Sequence, residues 1–430
     1  MHHRFTRSLA ATAGALGLAL SFMALPGAAS PARAADVDDT AASAALMAAQ
    51  EPIVDAANET NTLAKGDAGS DFAGITVSVE DHGYTLYWKG GTPPAPIADA
   101  IKAHQARGIQ VNVVPARYSA KELMDRGLAI TASGARIGGA QITSVRPGND
   151  GNSLSIGVNE QQLPPRSNGS AALSAAALPA DLTGGIPITV TAEAPSDTTA
   201  AQIMARDNTK GPLVGGMFLK MGTQLCTSGF GVKSYGSQST AGVDQYFLLT
   251  AEHCGPAGTK VYSNDGNQIG TVVDTNPTYD ISRILVNRAS PDIWTGGPVL
   301  SSSQSMNAVH GTADMLAGET VCVSGSLMGE VCGGRVTSVR NIVLLGDHYR
   351  VVAQVTQLSG RLMAGKGDSG GPVYMNGARG IIATGILSGT HLGEKCKNPY
   401  GGTRLACSPT VWVADVSGEL TLDKGSVVTW

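Results

Sequence analysis

The C-terminal half of this 430-residue sequence is predicted to be all-β, either a sandwich or a pair of barrels. Short apolar runs recur there between Gly, Ser and Asn turns, as expected for strands joined by tight turns. The composition agrees, because 55 glycines with only 5% aromatic residues are typical of a loop-rich β protein. The predicted strands include residues 246–250, 281–286, 319–323, 349–355 and 381–387.

Residues 1–35 have the pattern of a secretory signal peptide. Arg4 and Arg7 precede an apolar run over 9–25, and the small-x-small tripeptide at 32–34 is a cleavage site. A membrane anchor fits less well, because Gly, Ser and Pro residues interrupt a run that is already short for a bilayer. We therefore expect secretion, with no membrane attachment after signal cleavage. The net charge of −4 gives no support for a nucleic-acid partner.

The rest of the chain divides into four segments by composition. The first is rich in Ala and acidic residues and has one weak helical stretch, over 41–51. The second alternates apolar and polar residues and opens a helix with a capping box, Ser119 to Glu122, which predicts a small α/β domain. The third is rich in Ser, Ala, Thr and Pro and is predicted to be flexible, because it cannot bury enough apolar surface to fold alone. In order, the segments are a leader at 36–71, the α/β domain at 72–160, the linker at 161–210 and the all-β domain at 211–430.

The cysteines all lie in the C-terminal half, and their even number suits three disulfides in an exported protein. Their spacing alone leaves the pairing open. We expect no metal, because the sequence has no Cys-x-x-Cys or His-x-x-x-His pair, and no cofactor. The cysteines are Cys226, Cys254, Cys322, Cys332, Cys396 and Cys407.

Three residues stand in contexts suited to nucleophilic catalysis. Ser369 lies in Gly-Asp-Ser-Gly-Gly, where the glycines let the backbone turn tightly and aim the amides of Gly367 and Ser369 at a developing oxyanion. His253 follows an apolar strand and could accept the serine proton. Asp280 opens an alternating strand, where a buried acid could hold the imidazole. The set predicts a Ser-His-Asp triad.

These motifs resemble those of the chymotrypsin-like serine proteases secreted by actinobacteria, the streptogrisin and α-lytic protease group. Thr-Ala-x-His-Cys at 250–254, then Asp280 before an apolar strand, then Gly-Asp-Ser-Gly-Gly at 367–371 follow that family's order. The resemblance covers about residues 211–430. It implies an all-β double β-barrel of chymotrypsin type and a serine endopeptidase that hydrolyses polypeptide substrates through an acyl-enzyme.

The resemblance also implies how the cysteines pair. The segments around the first four cysteines match two disulfide loops of the family, but the family's cysteine shortly before the catalytic serine is missing. The implied pairs are Cys226 with Cys254, Cys322 with Cys332 and, by default, Cys396 with Cys407.

The implied specificity pocket departs from the trypsin-like members. Met363 stands where those members carry an Asp, so a preference for Arg or Lys is not expected. Ser388, Gly389 and Thr390 resemble the strand that lines the pocket and binds the substrate backbone. A small or apolar side chain is the implied preference. Glu252, next to His253, replaces a residue that is small in the family.

Other interpretations fit less well. The nucleophile elbow of α/β-hydrolases needs an acid between the serine and a later histidine, and none lies between Ser369 and His391. Asp265 and Asp274 are rivals of Asp280, but both lie in turn-like sequence, where a solvated Asp is usual. A protease-like binding protein that has lost activity is the alternative function, although such loss commonly shows as a replaced triad residue.

The α/β domain resembles the pro-region of the same proteases at residues 72–75 and 84–88. The resemblance implies a zymogen whose pro-region aids folding and acts as an intramolecular inhibitor until it is removed. Such help is physically sensible, because a pair of β-barrels has high contact order and folds slowly. A retained accessory domain is the alternative.

Overall fold

A computed structural model describes residues 32–66, 71–163, 178–197, 206, 212–234, 245–297, 305–391, 394–396, 405–417 and 425–429. Residues 1–31, with most of the predicted signal peptide, lie outside that range. No helix in the described part is long and apolar enough to cross a membrane.

The front part of the chain is a long helix followed by a small α/β unit. The helix α1 (Ala32–Lys65) extends well beyond the predicted stretch. Its alanines favour a helix, and burial of Met47, Ile53 and Val54 adds packing that a local pattern does not reveal. The predicted capping box is confirmed, and the first two strands of the unit form an antiparallel hairpin. The elements of the unit are β1 (Phe72–Ser78), β2 (Gly83–Lys89), α2 (Ala95–Ala106), β3 (Gln110–Ala116), α3 (Ala120–Ala132), β4 (Arg136–Ile137), β5 (Ala140–Pro147), β6 (Leu154–Asn159) and a 3-10 turn (Glu160–Gln162).

Part of the segment predicted as a flexible linker is ordered. It contains α4 (Ala180–Thr183), β7 (Ile188–Glu193) and β8 (Ser196–Asp197). β7 pairs in parallel with β6 along its whole length, so its backbone groups are satisfied by a neighbouring strand rather than by water. Composition alone could not show this, because the strand that accepts β7 lies in another segment.

The C-terminal half contains two β-sheet bodies, as the prediction of an all-β fold required. The first is an eight-stranded sheet in the order β11-β10-β14-β15-β16-β13-β12-β28. Residues 246–250 and 281–286, both predicted strands, lie at its centre in β13 and β16. Its strands are β10 (Phe218–Met221), β11 (Gln224–Thr227), β12 (Gly231–Ser234), β13 (Gln245–Thr250), β14 (Lys260–Tyr262), β15 (Gln268–Asn276), β16 (Ile281–Val286) and β28 (Gly425–Val427).

The second body, named the second barrel, closes on itself in the strand order β19-β20-β21-β27-β24-β23 and back to β19. The other three predicted strands are confirmed in β19, β21 and β24. The remaining strands of this half are β9 (Leu213–Gly215), β17 (Ala289–Thr295), β18 (Ser305–Thr312), β19 (Thr320–Gly325), β20 (Gly329–Leu345), β21 (His348–Gln357), β22 (Ala364–Gly365), β23 (Pro372–Gly377), β24 (Gly380–His391), β25 (Glu394–Cys396), β26 (Leu405–Ser408) and β27 (Thr410–Asp415).

The apolar cores join these parts into one structure. One cluster fills the first sheet, and a second, with Phe230, Leu249 and Ile386, lies between the two bodies. A third contains residues of α1, the α/β unit and the second barrel together. The α/β unit also extends the second barrel's sheet, because Val145 of β5 pairs with Ile342 of β20. Strand ends that meet at the junction of the two bodies therefore have fixed positions.

Candidate active site

His253 is held at the end of an apolar strand. Phe247 and Leu249 of β13 are buried, and the strand runs into a 3-10 turn (Glu252–Cys254). A disulfide between Cys254 and Cys226 ties that turn to β11. The His253 side chain is 9% exposed, so its ring orientation is set by protein contacts rather than by solvent.

Asp280 lies directly before β16 with its side chain fully buried. Its φ is 54°, a left-handed conformation that Asp tolerates better than most residues. The carboxylate accepts hydrogen bonds from the backbone N of His253 at 3.0 Å and from His253 Nδ1, 2.9 Å from Oδ2 and 3.1 Å from Oδ1. Ser388 of β24 donates its hydroxyl to the same carboxylate.

The electrostatic setting of Asp280 favours its ionised form. Burial alone would raise the pKa of Asp280, but the charge and hydrogen bond of His253, then the charge of Arg350 and the bond from Ser388, outweigh it. The pKa of this carboxyl is therefore below its usual value. The rivals Asp265 and Asp274 lie elsewhere, in a turn with Ser263 and in an ion pair with Arg283.

Ser369 lies in a tight loop between β22 and β23, and this loop contacts the first body. Its carbonyl accepts a hydrogen bond from Thr227 N at 2.8 Å, and the carbonyl of Gly367 accepts one from the Thr227 hydroxyl at 2.9 Å. Gly370 has φ of 89°, and a Cβ there would overlap the Thr227 carbonyl and come within 2.9 Å of Ala251 N. The serine loop therefore packs directly against the strand end that leads to His253, and only glycine fits at the contact.

Asp368 anchors the serine loop from inside the protein. Its buried carboxylate accepts backbone N–H groups from Gly365 at 2.9 Å, Leu327 at 2.8 Å and Met328 at 3.2 Å. Burial raises the pKa of Asp368 to about 6, although these hydrogen bonds favour the charged form. The serine loop is thus held by the carboxyl group of Asp368, whose ionised form is disfavoured by burial.

The backbone N–H groups of Gly367 and Ser369 donate no hydrogen bond to any described residue. Gly367 has φ of 102°, which glycine alone adopts without strain. His253 Nε2 is buried and has no hydrogen-bond partner among the described residues, so no bond to Ser369 Oγ is formed. Hydrogen bonds of this kind are often long before substrate binds. The three groups that a nucleophilic site needs are nevertheless at one junction.

The predicted pocket residues differ in what they contact. Met363 is fully buried in the core of the second barrel, and its Cε would lie 2.6 Å from a Cβ placed on Gly334. Ser388 hydrogen-bonds to Asp280, whereas the resemblance implied only a place on the strand that lines the pocket. Gly389 and Thr390 lie on β24, where Thr390 pairs with both β27 and β8.

The implied disulfides Cys226–Cys254 and Cys322–Cys332 are confirmed. Cys407 is also disulfide-bonded, whereas the side chain of Cys396 lies outside the described residues. The described residues that could gather round a metal are these bonded cysteines with His253 or Glu330. Cysteines in disulfides have no thiolate to offer, so neither group makes a metal centre.

Two residues beside the triad set were not predicted to act together. Arg350 of β21 donates from Nη1 to Asp280 Oδ1 at 2.6 Å and to Glu252 Oε2 at 2.8 Å. Its side chain is only 2% exposed. A signal was present in the sequence, because Arg350 stands next to an apolar run in a predicted strand, but its partners lie in distant segments.

Proteins similar to this chain were found among family models and solved structures. Residues 232–406 match the model of the trypsin family. Among solved structures, Thermobifida fusca protease A is 23% identical over 51% of this chain and 100% of its own, with a TM-score of 0.38. A Nocardiopsis protease is 22% identical over 51% of this chain and all of its own (TM-score 0.39). Cellulomonas bogoriensis chymotrypsin is also 22% identical, over 51% and 100%, with a TM-score of 0.36. No curated protein matches the chain.

The family match lies within the two β-sheet bodies and includes His253, Asp280 and Ser369. The C-terminal half of the chain therefore carries a trypsin-family domain, a chymotrypsin-like serine protease domain, behind a small α/β region.

Proposed function

We propose that this chain is a secreted serine endopeptidase made as a zymogen, with Ser369, His253 and Asp280 as its catalytic triad. The observation that carries the proposal is the double contact of His253 with Asp280, where the backbone N and Nδ1 of the histidine both reach one buried carboxylate. That contact leaves Nε2 as the ring atom available to take a proton. The serine loop packs against the same strand end.

In the proposed reaction, Ser369 Oγ attacks the carbonyl carbon of the scissile peptide bond while His253 Nε2 takes the hydroxyl proton. Asp280 stabilises the imidazolium that forms. The negative oxygen of the tetrahedral intermediate accepts hydrogen bonds from the amides of Gly367 and Ser369. His253 then returns the proton to the leaving amine, and water hydrolyses the acyl-enzyme by the same route.

The zymogen part of the proposal rests on strand β8. In β8, Ser196 pairs with His391 and residue 197 pairs with Thr390, both on β24. The Trp412 indole also donates to Ser196 Oγ at 3.0 Å. Since β24 is the strand proposed to bind the substrate backbone, the uncut chain covers part of its own substrate site. The segment that carries β8 would then act with the α/β region as an intramolecular inhibitor, and the β5–β20 pairing would make the α/β region a folding aid.

Labelling with a fluorophosphonate tests the triad. We expect the processed protein to be labelled, and Ser369→Ala to abolish labelling, because only an activated serine reacts with such a probe. An unlabelled processed wild type would instead favour a protease-like binding protein.

Intact-mass analysis of the secreted protein tests the zymogen. A mature N-terminus within residues 205–215 would support removal of the front part. A start near Ala35 would show that the α/β region is retained and would end this part of the proposal.

Profiling the processed enzyme on a peptide library tests the implied preference for small or apolar side chains, which cleavage after basic residues would contradict.

A further inference from the structure

We propose that Arg350 and Glu252 are positioning residues that set the protonation of His253. Arg350 orients the carboxylate of Asp280, and Glu252 balances the positive charge of Arg350. This inference rests on the proposed triad and adds two residues to it. Neither touches the reacting serine. Arg350 contacts the carboxylate of Asp280 directly, and Glu252 contacts Arg350.

The contacts form a buried chain of charges. Arg350 Nη1 is 2.6 Å from Asp280 Oδ1 and 2.8 Å from Glu252 Oε2, and it also reaches the carbonyl of Pro277 at 3.4 Å. The side chains of Asp280 and Arg350 are 0% and 2% exposed, whereas that of Glu252 is 17% exposed. Water therefore has little access to the arginine–aspartate pair, and each charge acts strongly on its neighbours.

The cluster joins the two β-sheet bodies. Glu252 follows β13 and Asp280 precedes β16, both strands of the first sheet, whereas Arg350 comes from β21 of the second barrel. The backbone of β21 is attached to the same place, because Val351 N donates to the carbonyl of Thr278 at 2.6 Å. The arginine is consequently fixed beside Asp280 by its own strand.

The charges in contact explain why an arginine is tolerated there. The charged or titratable side chains that face the cluster in the described structure are His253 and Glu252 from the 3-10 turn, Asp280 from the start of β16 and Arg350 from β21. Ser388 from β24 is the uncharged fifth member. Without the imidazole, these groups carry one net negative charge, the same as an aspartate alone. Glu252 thus cancels the cation that would otherwise oppose an imidazolium.

Two single substitutions should therefore act in opposite directions. Glu252→Gln removes a negative charge and leaves the Arg350–Asp280 pair neutral, so protonation of His253 becomes harder. Arg350→Met removes the cation and leaves two carboxylates near the ring, so protonation becomes easier. The double variant restores one net negative charge and should titrate close to the parent.

The test is the titration of the His253 ring signals by NMR in the full-length chain carrying Ser369→Ala. Glu252→Gln should lower the titration midpoint, and Arg350→Met should raise it, each on the order of one pH unit. Glu122→Gln is the matched control, because it removes the same charge from an exposed pair with Lys89 and should leave the midpoint unchanged.

Shifts in the same direction, or a double variant that does not return toward the parent, would overturn the proposal. If Arg350→Met fails to fold, Glu252→Gln decides alone, since an unmoved midpoint there excludes charge balancing. The NMR titration needs no activity, so its failure is separable from that of the proposed function. A chain that fluorophosphonate does not label, yet shows the opposite shifts, would retain the charge cluster and lose the protease assignment.

Discussion

Gln50 of α1 makes two hydrogen bonds to the backbone of Thr320 in β19, its Nε2 donating to the carbonyl at 2.7 Å and its Oε1 accepting the N–H at 2.8 Å. Both residues are buried, at 0% and 2% exposure. The amide side chain therefore does for this strand what a neighbouring strand would do. The leader helix is in this way built into the second barrel.

Replacing Gln50 with Ala should destabilise the full-length chain by about 2 to 4 kcal/mol, because two buried backbone groups lose their partners. The free energy of unfolding in urea, measured on the Ser369→Ala chain to prevent self-cleavage, checks this. Gln105→Ala is the control, since Gln105 is exposed and makes one hydrogen bond of 3.3 Å to Val111. Equal losses in the two variants would contradict the role given to Gln50.

Gly370→Ala should reduce the rate of fluorophosphonate labelling by on the order of 100-fold, because the added methyl displaces the serine loop from Thr227. Gly367→Ala offers a comparison. Its φ is also positive, at 102°, but its Cβ would meet only Leu327 at 3.5 Å. That variant should lose about 1 to 2 kcal/mol of stability from backbone strain and keep more of its reactivity. A more reactive Gly370→Ala would refute this order.

Protonation of Asp368 should make the folded chain more stable in acid. Because burial raises the pKa of Asp368 to about 6, the folded state keeps its proton at a pH where the unfolded state has lost it. The contribution is fully present below about pH 4 and is lost as the pH rises through about 6, by up to about 3 kcal/mol. Unfolding free energies of the parent and Asp368→Asn from pH 4 to 7 check the sign. The pKa of Asp415 is also raised by burial to about 6, but that residue is present in both proteins and cancels.

Loss of the disulfide beside His253 should cost more than loss of the other. Cys226–Cys254 closes a sequence separation of 28 residues, whereas Cys322–Cys332 closes 10. Loop-closure entropy then gives about 3.6 and about 2.7 kcal/mol for the paired Cys→Ala variants. Urea unfolding compares their stabilities. Fluorophosphonate labelling should fall mainly in the first variant, since Cys254 follows His253, and an equal fall in both would show that the bond does not position the histidine.

Local patterns predicted most of the strands and singled out a histidine and a serine as candidates for the site. A Gly-rich turn and a polar residue after an apolar strand are encoded by neighbours in the chain, so His253 and Ser369 could be picked out without a fold. For the acid, the sequence required a choice among Asp265, Asp274 and Asp280. The contact between His253 and Asp280 supports the choice of Asp280. The length of α1 and the order of residues 188–197 were missed, because both depend on burial against segments far away in the sequence.

The sequence by itself determined the all-β class of the C-terminal half, the order of its three candidate catalytic residues and two disulfide pairs through family resemblance. Only the tertiary structure decided that Ser388 and Arg350 hydrogen-bond to Asp280, that Glu252 forms an ion pair with the same arginine, and that β8 pairs with β24. The physical reason is that side chains meeting across two β-sheet bodies are set by strand register and by how the bodies pack. A one-dimensional pattern carries neither.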